Sequence, residues 1–143
     1  MRSRSNFFLV ACLNILLVDD DYTLARSTAK LLQRLGGHYV YITDDPAEIF
    51  QRCQTQAVDL VIMDINLPDA QWQGQAVSGA DISRVLKNQV QTARIPIILV
   101  TAYALAGERQ FLLAASQADE FVAKPITDYN SFLNLIRYLG RTN

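Results

Sequence analysis

The sequence predicts an α/β fold, with a five-stranded parallel sheet and helices on both of its faces. Three observations predict it. Short apolar runs alternate with stretches of helical period along the 143 residues. The first, third and fourth runs are apolar throughout, as expected of parallel strands buried on both faces. The residues that close the runs are chemical ones: acids, a threonine and a lysine. In open parallel sheets ligands sit beyond the carboxyl ends of the strands.

The elements follow in order. "NILLVDD" (14–20) is an apolar run ending in acids and reads as the first strand. Leu24, Thr28, Leu31, Leu32 and Leu35 recur at helical spacing, and Gly36-Gly37 stop that helix. "HYVYIT" (38–43) is the second strand. Asp45 offers an N-cap with Pro46 at the first helical position, and Ile49, Phe50, Cys53 and Ala57 form the core face. "VDLVIM" (58–63) is the third strand. Ser78 with Asp81 resembles a capping box, and Ile82, Val85 and Leu86 continue the third helix. "IPIILV" (95–100) is the fourth strand, a weaker helix covers about 104–116, and "EFVA" (120–123) is the fifth strand. The last helix begins near Thr127 or Asp128 and carries Phe132, Leu135, Ile136 and Leu139. One domain over 1–143 is expected, with a core from about 14 to 139.

Bulk properties exclude several classes. Thirteen Lys and Arg against fourteen Asp and Glu leave a net charge of −1, which makes no electrostatic case for nucleic acid or an anionic membrane. No run reaches the ~20 apolar residues that a membrane helix needs. The basic and apolar start "MRSRSNFFLVACLN" lacks a cleavage site and runs straight into the first strand, so a signal peptide is rejected and a cytoplasmic protein expected. Cys12 and Cys53 lie far apart in apolar stretches and read as buried free thiols, although a disulfide stays open. His38 is the only histidine and lies away from the acids. It suits neither a phosphodonor nor a metal ligand.

The strand ends carry the chemistry. Asp19, Asp20 and Asp21 follow the first strand, Asp64 the third, Thr101 the fourth and Lys124 the fifth. Asp21 also reads as a helix N-cap. Crowded carboxylates repel, and a hard divalent ion with oxygen ligands relieves this. A carboxylate beside Mg²⁺ can attack phosphorus and give an aspartyl phosphate. Phosphoryl transfer asks mainly for positioning and charge neutralisation, which Lys124 and Thr101 could supply together with Mg²⁺.

The pieces "VDDD" (18–21), "MDINLP" (63–68), "VTA" (100–102) and "FVAKP" (121–125) resemble the receiver domain of bacterial two-component response regulators. The resemblance covers about Asn14 to Leu139. It implies a flavodoxin-like (βα)5 fold with strand order 2-1-3-4-5. It implies that Asp64 accepts a phosphoryl group from a sensor histidine kinase or a phosphotransfer protein. Asp19 and Asp20 would hold Mg²⁺ with Asp64 and the backbone carbonyl of Asn66. Lys124 would grip the phosphoryl group, Thr101 would swing toward it, and Phe121 would change rotamer in step. Phe121 also reads as a core residue, and the two roles are compatible. Pro125 would follow a cis peptide bond.

Some features depart from the family pattern. "AQWQGQAV" (70–77) reads as an inserted loop, and Gly79 comes late for the glycine that opens the next helix. Trp72 has two readings: it caps the sheet edge or packs on the third helix, or it contacts a partner or shields the phosphorylation site. Gln117 replaces a small residue before the fifth strand. Asn66 and Tyr103 occupy positions that tune phosphate lifetime in the family, and a bulky Tyr103 could impede the attacking water.

The reading that follows is a phosphorylation-driven switch that is not an enzyme, expected to stand alone, with one domain of a longer protein as the open alternative. Its output would pass to a downstream protein through the face around the fourth helix, fifth strand and fifth helix. A homodimer formed on phosphorylation is left open. The alternative is a receiver-like interaction module that works without phosphorylation; such modules lose an acid, the threonine or the lysine, and all are present here. A phosphohydrolase would carry a second Asp at position 66, where Asn stands. A flavodoxin-like cofactor binder would need a phosphate-cradling loop after the first strand, where "DDDYT" stands instead.

Overall fold

In the computed structural model, residues 12–55, 57–102 and 106–141 are described. The strands are β1 (Asn14–Val18), β2 (Tyr39–Thr43), β3 (Leu60–Asp64), β4 (Gln71–Trp72), β5 (Gln75–Ala76), β6 (Ile97–Thr101) and β7 (Glu120–Ala123). The helices are α1 (Tyr22–Gly36), α2 (Pro46–Gln54), α3 (Gly79–Lys87), α4 (Ala106–Ser116) and α5 (Tyr129–Arg141). Five strands form one parallel sheet in the order β2-β1-β3-β6-β7. This is the expected order 2-1-3-4-5 once β4 and β5, which form a separate hairpin, are set aside. Residues 1–11 and Tyr103, which carried the signal-peptide and phosphate-lifetime expectations, lie outside the described residues.

The sheet separates two apolar clusters. On one face, Leu16, Val18, Val61, Met63, Ile97 and Leu99 meet α2 through Ile49 and Phe50 and α3 through Ile82 and Leu86. On the other, Ile15, Leu17, Leu60, Ile62, Ile98 and Val100 meet α1 and α5 through Leu32, Phe132 and Ile136. Successive strand residues point to opposite faces, and both faces are covered. That is why the runs lack polar alternation. Each large side chain buried this way stabilises the fold by roughly 1.5–3 kcal/mol.

The helix starts obey local chemistry. Asp21, Asp45 and Ser78 each accept a backbone N–H of the first turn, and Ser78 and Asp81 complete a reciprocal capping box. Asp128 does the same for α5, accepting from the N–H of Ser131 at 3.0 Å. Gly37 ends α1 in the left-handed region at φ 72°.

Several expectations shift. In α1 the buried face is Ala25, Thr28, Ala29 and Leu32, while Leu24 and Leu35 are 44% and 58% exposed. Two alanines let the helix approach the sheet closely, and leucine count is a poor guide because much of a folded surface is apolar. Ala57 is exposed and lies beyond the end of α2. In α5 Leu133 is buried, whereas Leu135 and Leu139 pack only at the margin of the core. Asp59 precedes β3 rather than joining it, and its carboxylate accepts the Asn14 N–H at 2.8 Å. Cys12 is exposed, contrary to expectation; Cys53 is buried, and its thiol is pushed up to about 12 by desolvation. Both are free.

His38 is 3% exposed, and its Nδ1 accepts the Leu13 N–H at 3.2 Å. Burial, then the charge of Arg137, lowers its pKa below the usual 6.5. The unfolded chain therefore binds the proton more readily than the folded one. This contribution to stability is fully present above pH 6.5 and is lost as pH falls from there toward the folded value. Unfolding in urea at stepped pH should show stability falling below pH 6.5, with the slope flattened in His38→Asn. An equal slope in the variant would assign the decline to other groups.

Candidate functional site

The carboxyl ends of β1, β3, β6 and β7 meet at one rim of the sheet, and this rim collects the predicted residues. Asp64 is the last residue of β3 itself. Its backbone is paired with Val100 of β6, and the next N–H, of Ile65, donates to the Val100 carbonyl at 3.1 Å. Asp19 follows β1, with its N–H held by the Thr43 carbonyl of β2 at 3.2 Å. Lys124 follows β7, with its N–H donating to the Thr101 carbonyl at 2.8 Å. The peptide bond between Lys124 and Pro125 is cis, as expected. Thr101 closes β6 and is buried.

The side chains converge. Asp19, Asp20 and Asp64 offer carboxylate oxygens that all lie within 4.8 Å of one another. Asp19 and Asp64 are buried, at 5% and 6% exposure, and Asp20 is exposed. The Lys124 ammonium lies 2.7 Å from Asp64 Oδ2 and 3.4 Å from Asp19 Oδ2. The other oxygens are held by backbone two residues on: Asp64 Oδ1 accepts the Asn66 N–H at 3.1 Å, and Asp19 Oδ1 accepts the Asp21 N–H at 2.9 Å. These Asx turns fix both carboxylates against rotation. Asp21 turns away to cap α1, accepting the Leu24 N–H at 3.1 Å.

Electrostatics follow from burial. Desolvation raises the pKa of Asp19; the Asp21 N–H and the Lys124 charge oppose this without cancelling it. Burial alone would lower Lys124, but its hydrogen bond with Asp64 and the charges of Asp64 and Asp19 outweigh that and raise it. The lysine thus stays an ammonium among acids. With all groups ionised, three carboxylates and one ammonium leave two negative charges, which one divalent cation would neutralise. An all-oxygen donor set without His or Cys suits a hard cation of this kind rather than zinc. A cavity of about 300 Å³ opens over Asp19, Asp64 and Lys124, walled by Leu24, Ile126 and Tyr129.

Three features support the site; Gly79 at the start of α3 was read from the sequence, whereas the roles of Glu48 and Arg109 were not. Gly79 opens α3 with its N–H on the Ile65 carbonyl at 2.8 Å, and a Cβ there would run into the carbonyl of Asp64. Glu48 of α2 accepts from the Thr43 hydroxyl at 2.6 Å and the Tyr41 hydroxyl at 2.7 Å, which ties the end of β2 to α2 beside the site. Arg109 of α4 lies over the buried ring of Phe121, 5.5 Å from its centroid. Side-chain pairs between different elements leave no local sequence signal.

The stretch 70–77, expected as an inserted loop, holds a hairpin. β4 and β5 pair antiparallel around Gln73 and Gly74, at φ 54° and 80°. Positive φ at both central residues is the two-residue turn that matches strand twist, and glycine takes it without strain. Trp72 packs on Phe50 of α2, ring centroids 4.4 Å apart, at the margin of the core cluster that includes Ile82 and Leu86 of α3.

Fold and site together define a flavodoxin-like α/β domain with an acidic, lysine-bridged cluster at the carboxyl rim of its sheet. The chain belongs to the response regulator receiver domain family, whose profile matches residues 15–137. It is therefore a receiver domain of two-component signalling, a switch module rather than a classical enzyme. It is 31% identical over 126 residues to the signal transduction histidine-protein kinase BarA of Escherichia coli, covering 88% of this chain and 13% of BarA. The chain thus spans about an eighth of that kinase. It is 25% identical over 127 residues to the polar-differentiation response regulator DivK of Brucella anthropi, covering 89% of this chain and 96% of DivK. Among solved structures, the receiver domain of sensor histidine kinase PA1611 of Pseudomonas aeruginosa is 29% identical, with a TM-score of 0.72. That match covers 91% of this chain and 99% of the other, which has a magnesium ion coordinated in its active site cleft. No helix among the described residues is long and apolar enough to cross a membrane.

Proposed function

We propose that Asp64 accepts a phosphoryl group from a sensor histidine kinase or phosphotransfer protein. The observation that carries this is the buried Asp64 carboxylate, 2.7 Å from the Lys124 ammonium and within 4.8 Å of the Asp19 and Asp20 oxygens. Asp19, Asp20 and Asp64 would hold Mg²⁺, with the backbone carbonyl of Asn66 as a further ligand. Bound Mg²⁺ supplies charge neutralisation for the carboxylates and the phosphoryl oxygens. In the transfer, an Asp64 oxygen forms a bond to phosphorus as the phosphorus–nitrogen bond of the donor phosphohistidine breaks, and the imidazole leaves with a proton from solvent. Lys124 moves from the free carboxylate to the phosphoryl oxygens. Asn66 holds no acid that could turn this chemistry into a general phosphohydrolase.

Thr101 and Phe121 then carry the switch. Thr101 swings toward the phosphoryl group and Phe121 follows, biasing a two-state surface over α4, β7 and α5 that binds a downstream protein or a second copy of the chain. Neither nucleic acid nor membrane is a direct target, and the working compartment is the cytoplasm. Incubation with acetyl phosphate and Mg²⁺, followed by intact mass, should show one added phosphoryl group, and EDTA should abolish it. No uptake at all would favour a module that works without phosphorylation, and uptake undiminished by EDTA would remove the metal.

A further inference from the structure

We propose that Arg109 is a positioning residue that holds Phe121 in its inward, buried place and so sets the resting balance of the switch. This rests on the reading of Phe121 as a switch residue. Phe121 is 5% exposed and packs in the core, in register with Leu99. It has no hydroxyl, so no hydrogen bond from its ring can hold it in either position. Packing and contacts from neighbouring elements must decide.

One guanidinium makes two contacts at this residue. Arg109 lies over the Phe121 ring at 5.5 Å, in the range of a cation–π contact. It also pairs with Glu120 Oε1 at 3.7 Å, and the same oxygen accepts the Phe121 backbone N–H at 3.3 Å. Arg109 therefore grips both the ring and the carboxylate that holds the backbone behind it. It comes from α4, so any displacement of that helix loosens both contacts together. Its side chain is half exposed, which keeps the grip weak enough to release.

The test uses protein labelled with 4-fluorophenylalanine, with the Phe121 fluorine resonance assigned by its loss in Phe121→Leu. In the unphosphorylated chain, Arg109→Gln should raise the population of a second, solvent-exposed Phe121 resonance by roughly three- to tenfold. Glu120→Gln should raise it less, and Arg109→Lys should restore part of the wild-type ratio. The melting midpoint should stay with the wild type, which a merely structural role would not allow. An unchanged resonance ratio in Arg109→Gln, or a change that only tracks lost stability, overturns the proposal. Phosphoryl uptake is read by mass on the same samples. Uptake with an unmoved ratio sinks the Arg109 grip alone, whereas a shifted ratio without uptake leaves the grip standing and sinks the role of Asp64.

Discussion

Asp64→Asn should take up no phosphoryl group from acetyl phosphate under conditions where the wild type gains one. The amide keeps the shape of the carboxylate and can still accept the Asn66 N–H through its oxygen. It loses the negative charge that makes the oxygen a nucleophile. It also loses the ion pair with Lys124 at 2.7 Å, leaving that ammonium to Asp19 at 3.4 Å. The cluster then carries one net negative charge in place of two, with one fewer anionic oxygen for a cation. Mg²⁺ affinity in calorimetric titration should fall by about tenfold or more, equivalent to ~1.4 kcal/mol. A circular dichroism spectrum equal to the wild type would show that the loss is chemical. Full uptake in the variant would place the acceptor on another residue.

Gly79→Ala should lower stability by about 2–3 kcal/mol, or roughly 6–12 °C in melting midpoint. The added methyl meets the backbone carbonyl of Asp64 and the Cα of Ile65. Neither can yield cheaply. Asp64 is paired to Val100 within the sheet, and the Ile65 N–H is bound to the same residue's carbonyl. The N-terminus of α3 must retreat instead, at the expense of the Gly79 bond to the Ile65 carbonyl. Because the methyl presses on the backbone of Asp64, the proposed acceptor, uptake should also slow; a misplacement of about 1 Å can cost ~100-fold in rate. Gly107→Ala is the control. Nothing lies within 4 Å of its added Cβ, so the variant should be neutral or gain up to about 1 kcal/mol. A Gly79→Ala protein as stable as the wild type would show that the rim is soft.

Most of the rim was legible because it is written in local terms. An apolar run that ends in an acid, a threonine or a lysine announces a strand end, and caps such as Asp45 before Pro46 announce a helix start. The α1 face was misjudged for the converse reason. Leu24 and Leu35 have the apolarity of core residues, but the geometry of closest approach selected Ala25 and Ala29. The ring pair of Trp72 with Phe50 was not foreseen, because Phe50 lies some twenty residues back along the chain on a different element.

By itself the sequence determined the alternation of strands and helices, the identity of the acids, the threonine and the lysine, and their order along the chain. Residue type and period are properties of short stretches, so they survive without a fold. The tertiary structure decided that Lys124 bridges Asp19 and Asp64, that Gly79 is pressed against the backbone of Asp64 and that Arg109 covers Phe121. Those are distances between elements far apart in sequence, and they come into being only when burial on both faces of the sheet brings the strand ends to one rim.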